Sequence, residues 1–285
     1  MDKRKKSGRK KRKSGRRFHP VEIIILAVAI VVLCVSAFQL IGIFMEYKAG
    51  SDAYDALRDK YVTVVPEELT STQEEKAGET QEAEREDADA DYFPEYAIDF
   101  DALGGVNGDI TGWIYIPVLN IDYPVVQGTD NEYYLTHTFE KKENTSGAIF
   151  MDSGANPQLT DYNTLVYGHN MKNGSMFGKL KNFQRDDSLC AETPYIFYYT
   201  KEKSYKYLIV SYYVTVDGSD SYYLPQTEES YEEYRSLILK KAIHSCTREI
   251  PENMPMLTLS TCHGNAGGEE RFLVHGILEE VRDVR

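Results

Sequence analysis

The sequence predicts a mainly β domain, folded as a closed or nearly closed barrel and carried behind an N-terminal helix. Two observations point to the barrel. Short runs of β-branched and aromatic residues recur from Ile110 to Val281 between turn residues, and helical periodicity is confined to a few short stretches and one longer one. A third observation sets the barrel apart from what precedes it. Ile23 to Met45 is a 23-residue run broken only by Ser36, Gln39 and Gly42. That is enough to cross a hydrocarbon core of about 30 Å at roughly 1.5 Å per residue.

Charge is unevenly spread. The 285 residues carry a formal net charge of -13, yet the first 17 hold eleven Lys or Arg against one acid, Asp2. The remainder has 21 basic against 44 acidic residues, a balance of -23. A basic tail alone suggests nucleic acid. Placed directly before an apolar run, it fits the positive-inside rule instead: residues 1–20 cytoplasmic, 21–45 a transmembrane anchor, and the rest outside. A cleaved signal peptide is the competing reading. Val35-Ser36-Ala37 resembles a cleavage site, but the apolar run continues past it to Met45 and exceeds the usual 7–15-residue core.

Residues 46–91 read as a stalk helix followed by an acidic spacer. Glu82 to Asp91 has few apolar residues to offset the entropy of ordering. The folded domain is expected over residues 92–285. Asp99 to Leu103 suggests a short helix. Ile110–Ile116, Ile121–Val126, Ala148–Phe150 and Thr164–Tyr167 read as strands. Asp130 or Asn131 caps a helical turn. Ser175 to Phe183 reads as a short helix, with Met176, Phe177 and Leu180 on one side. Tyr195–Tyr199 and Tyr205–Val216 form an antiparallel pair. Residues 228–245 are an amphipathic helix, with Tyr231, Tyr234, Leu237, Ile238 and Ala242 on one face. Met256–Cys262 and Arg271–Val281 are the last two strands.

The chemistry concentrates in those two strands. Alternation places Leu257, Leu259 and Thr261 on one face of the first, and Thr258, Ser260 and Cys262 on the other. The thiol ends one strand and the Arg271 guanidinium begins the next. Of the four cysteines, Cys34 lies in the apolar run, and Cys190 and Cys246 read as small buried hydrophobes. A cysteine acts as a nucleophile only as the thiolate, so Cys262 needs a base or a positive field. Six histidines are present. His19 lies on the cytoplasmic side, His244 near a helix end, His275 inside a strand and His137 in a loop. His169 follows a strand and Gly168, which suits an active-site residue on a rigid scaffold. His263 adjoins the cysteine and stays a second candidate. Arg271 suits a fixed cation at an oxyanion or a substrate carbonyl. Its plainer alternative is a surface charge neutralised by Glu269 or Glu270. No CxxC or HExxH pattern supports zinc.

Thr258-Leu259-Ser260-Thr261-Cys262 with Arg271, and Tyr167-Gly168-His169-Asn170-Met171 upstream, resemble the signature of a sortase. Asn107–Ile114, Asp122–Gln127, Asp130–Leu135 and the 228–245 helix resemble class B members. The resemblance spans about residues 98–283. It implies an eight-stranded sortase-type barrel and a cysteine transpeptidase that cleaves a C-terminal sorting signal, NPxTN-like or xPxTG-like. Cys262 would form a thioacyl enzyme, His169 would serve as acid and base, and Arg271 would hold the substrate and its oxyanion. Ser260, Thr261 and Tyr167 would line the substrate groove. The acceptor would be a peptidoglycan or pilin amine, with no cofactor, metal or nucleic acid expected. His263 follows the cysteine with no acidic residue close behind, so no carboxylate partner for the histidine can be assigned. A thiol hydrolase using the same Cys–His pair is the competing enzyme. A surface adhesin is the non-catalytic alternative.

Overall fold

The computed structural model describes residues 20–64, 92–186, 188–192, 194–242, 252–264 and 268–284. The basic tail, the acidic spacer, His19, His244 and Cys246 lie outside the described residues. Two units are present, one ending at Met45 and one running from Glu46 to Arg285.

Helix α1 runs from Pro20 to Tyr61, and among the described residues it is the one helix long and apolar enough to cross a membrane. Up to Met45 it exposes its apolar side chains, Phe38 and Phe44 among them. From Glu46 the same helix belongs to the barrel unit rather than forming a free stalk. Tyr54 and Leu57 are buried there. The Tyr54 hydroxyl donates to Gly147 O (2.8 Å) and accepts from Phe139 N (3.1 Å). Strand β1 (Val62–Val64) then pairs antiparallel with β2 (Tyr96–Ile98).

Helix α2 (Phe100–Val106) starts at Asp99, whose carboxylate accepts from Ala102 N. The barrel follows: β3 (Ile110–Ile116), β4 (Ile121–Gln127), β5 (Ile149–Met151), β6 (Asn163–Tyr167), β7 (Tyr195–Tyr199), β8 (Lys203–Val216), β9 (Met256–Cys262) and β10 (Glu270–Asp283). They close in the order β10-β8-β7-β3-β4-β5-β6-β9. The expected eight-stranded, mainly β barrel is what forms. Two pairings are parallel, β4 with β5 and β6 with β9. The β6–β9 pair sets Tyr167 beside Ser260, so the strand ends carrying His169 and Cys262 emerge together.

Short helices α3 (Asn182–Arg185) and α4 (Ser188–Glu192) lie between β6 and β7. The helix expected over Ser175 to Phe183 does not form. Met176 takes a left-handed φ of 54°, which a continuing right-handed helix excludes. Met176, Phe177 and Leu180 are nonetheless buried, so the apolar pattern signalled burial rather than helix. Helix α5 (Glu228–Lys241) begins in a capping box in which the Thr227 side chain accepts from Ser230 N. Tyr231, Tyr234 and Ile238 are its buried residues. The 243–245 end of the expected helix lies outside the described residues.

Leu257 and Leu259 are fully buried, but so are Thr258 and Ser260 on the opposite face of β9. That second face is covered by a polar layer. Thr258 Oγ1 donates to Asn163 Oδ1 (2.8 Å) and lies 2.9 Å from His275 Nδ1. Tyr213 lies 3.1 Å from His275 Nε2, and Tyr234 accepts from Asn163 Nδ2 at 3.1 Å. Burial pushes the His275 imidazole down to about 3, so it stays neutral and structural.

Candidate active site

His169 is positioned by two local devices. Gly168 precedes it, and a Cβ there would lie 2.4 Å from Ile149 Cδ1 and 2.7 Å from Phe177 Cδ2, so only glycine lets the chain leave β6 on this path. The imidazole is then fixed from across the cavity, where Nε2 lies 2.7 Å from Leu135 O. A carbonyl can only accept, so Nε2 carries the proton and Nδ1 is left for the thiol. Leu135 is itself held in place. It closes a 3₁₀ turn, Tyr133–Leu135, entered through Asp130, whose Oδ1 accepts from Glu132 N and Tyr133 N at 2.8 Å each.

Cys262 ends β9, half-buried. Its carbonyl accepts from Asn170 Nδ2 at 2.8 Å, tying the cysteine to the residue after His169. A hydrogen bond between His169 and the thiol pulls the thiol below its ordinary range. Burial opposes this, the Arg271 charge adds to it, and the Asp217 charge works against it. The same bond holds the imidazole above its ordinary range; burial opposes, and Leu135 O assists. Both shifts favour thiolate beside imidazolium. His263, the alternative partner, stacks its ring on Phe272 with centroids 6.1 Å apart.

Arg271 is the Cα partner of Cys262 across β9 and β10. A neighbouring cavity of about 300 Å³ is lined by Cys262, His169 and Arg271 and by Ser260, Thr261 and Tyr167. All six residues singled out in the sequence therefore meet at one place. Ser260 Oγ lies 2.7 Å from the Tyr222 hydroxyl, and burial pushes that phenol up to about 12, so it remains a proton donor. Tyr167 donates to Asp152 Oδ2 at 2.9 Å. The buried Thr261 hydroxyl has no hydrogen-bond partner among the described residues.

Sequence reasoning missed three contributors. Leu135 acts through a backbone carbonyl, which has no side-chain signature. Tyr222 and Asp217 reach the cavity from the connection after β8, which carries no motif of its own. Among the described residues no group of three or more His, Cys, Asp or Glu is placed to hold a metal.

A thiol sharing one cavity with an oriented imidazole, and with a guanidinium on the adjoining strand at the end of a closed mixed barrel, defines a cysteine acyl-transfer centre. The sortase domain family matches residues 114–279. Sortase B of Listeria monocytogenes is 33% identical over 181 residues, 62% of this chain and 72% of that protein. The crystal structure of Clostridium perfringens sortase B superposes with a TM-score of 0.59 at 34% identity, covering 63% of this chain and 99% of that one. Sortase B from Bacillus anthracis, solved in complex with AAEK1, gives a TM-score of 0.63 at 27% identity over 82% and 98% of the two chains. The chain belongs to the sortase family as a class B member, and is a cysteine transpeptidase of the kind that anchors surface proteins.

Proposed function

We propose that Cys262 is the nucleophile, His169 the acid and base, and Arg271 the oxyanion and substrate cation. The donor is a surface protein bearing a C-terminal sorting signal, NPxTN-like or xPxTG-like. The observation that carries this reading is the meeting of Cys262, His169 and Arg271 in one cavity, with Arg271 the cross-strand partner of Cys262 and the Nε2 of His169 committed to Leu135 O. The thiolate adds to the Thr carbonyl carbon, and the oxyanion that forms faces Arg271. The C–N bond breaks as the His169 imidazolium gives its proton to the leaving amine, leaving a thioester on Cys262. An incoming amine of peptidoglycan or of a pilin loses a proton to His169 and attacks the thioester, releasing the thiolate. Ser260, Thr261 and Tyr167 line the groove for the residues beside the scissile bond.

Product analysis tests this. A sorting-signal peptide incubated with the full-length chain is expected to give the amide when a primary amine is supplied, at the expense of the free acid. A product ratio indifferent to amine concentration would instead identify a hydrolase.

The membrane part of the proposal is a single-pass anchor at residues 21–45, with residues 1–20 in the cytoplasm and residues 46–285, which carry the catalytic barrel, outside the cell membrane. Its support is the exposed apolar surface of α1 and the eleven basic residues that precede it. Protease added to intact cells is expected to degrade the catalytic domain and spare an epitope at the N-terminus. Protection of both ends would sink this topology.

A further inference from the structure

The transpeptidase reading needs a cation beside the thiol, and the structure shows what holds that cation. Arg271 Nη1 donates to Gly268 O (2.7 Å) and Glu270 O (3.1 Å), and Nη2 donates to Asp217 Oδ2 (2.7 Å). Asp217 directly follows β8. Its N–H donates to Glu269 O at 2.8 Å, and the chain turns at once through Gly218, at φ +67°, with Ser219 N on Val216 O. The backbone register of β8 and β10 thus fixes where this carboxylate stands. Asp217 is 57% exposed, and an ion pair so open to water contributes little to stability. Yet it lines the same cavity as Cys262.

We propose that Asp217 is a positioning residue for the transpeptidation: its carboxylate ties the Arg271 guanidinium to the 217–218 turn and so sets how much of that charge reaches Cys262. This rests on Cys262 being the nucleophile. The other groups around the thiol come from separate elements. His169 follows β6, Tyr167 ends β6 and Tyr222 lies in the connection after β8. His263 is turned onto Phe272, and the Glu270 carboxylate lies beside Gly264. Of the charged groups, Arg271 and Asp217 act on the thiol in opposite directions. Removing the carboxylate has two effects: it deletes a negative charge, and it releases Nη2, so that the guanidinium, still held through Nη1, can turn toward the thiolate.

The test is the pH dependence of iodoacetamide alkylation of the full-length chain, read at the Cys262 peptide by mass spectrometry. It compares wild type, Asp217→Asn, Arg271→Ala and the double variant. Asp217→Asn is expected to move the midpoint down by about 0.5 pH unit or more, and Asp217→Ser to do the same. In the Arg271→Ala background the shift is expected to be smaller, because only the direct effect of the Asp217 charge remains. An unchanged midpoint, or an equal shift in both backgrounds, would overturn the proposal. Misfolding cannot mimic the expected result, since loss of the His169 bond drives the midpoint upward. Transpeptidation that survives complete alkylation of Cys262 would instead refute the nucleophile assignment, whatever the midpoints.

Discussion

Cys262→Ala is expected to lower amine-dependent cleavage of a sorting-signal peptide by on the order of 10⁴-fold or more, and to abolish the covalent peptide adduct seen by intact-protein mass spectrometry. The effect should be this large because the thiol forms the bond that divides one difficult acyl transfer into two easier ones. The variant should fold normally. Cys262 sits at the outer end of β9, beyond the buried Leu257 and Leu259, and its contribution to strand pairing is through the backbone. Equal turnover by the alanine variant would remove the entire catalytic assignment; of the other described cysteines, Cys190 is buried and Cys34 lies in the exposed apolar stretch of α1.

His169→Ala is expected to cost about 10²–10⁴-fold in kcat/KM, the range for losing a positioned general acid and base. It also carries a pH signature. In the wild type the thiol lies below its ordinary range and the imidazole above its own, each chiefly because of the hydrogen bond between them. The competent pair is thiolate with imidazolium. Activity should therefore fall on the acid side as the thiolate is protonated and on the alkaline side as the imidazolium loses its proton. The two limbs belong to the coupled pair rather than to either residue alone. In His169→Ala the main cause of the lowered thiol disappears, so the midpoint for alkylation of Cys262 should rise toward that of a free thiol, and the alkaline limb of the residual activity should vanish. A pH–rate profile unchanged in shape would exclude His169 as the partner.

How much of this was readable in the sequence depends on where the information resides. The strand Met256–Cys262 and the arginine after it are local patterns, and alternation and composition reveal them. His169 was legible because Gly168 marks a tight exit from a strand. Its preference over His263 came from the resemblance of Tyr167-Gly168-His169-Asn170-Met171; what the sequence could not show is the parallel pairing of β6 with β9, which joins residues far apart in the chain. The misread helix at Ser175 to Phe183 has a specific cause. Apolar spacing reports burial, and the left-handed Met176 that breaks the helix has no residue-type signature, since methionine is not a residue expected at positive φ. The docking of α1 through Tyr54 was hidden for a similar reason. A tyrosine on a helix that continues an apolar run looks the same whether its hydroxyl meets water or meets Gly147 O and Phe139 N.

The parallel register of β6 and β9 bears on when the enzyme becomes reactive. Tyr167 and Ser260 are neighbours in space but 93 positions apart in sequence, and contacts so distant along the chain are among the slower ones to form. Until that seam closes, Cys262 has neither its imidazole nor the Asn170 side chain that anchors its carbonyl, and it remains an ordinary, mostly protonated thiol. Chemical reactivity in this chain is thus acquired with the completed barrel, and a nascent or half-folded copy is protected from indiscriminate acylation by its own topology.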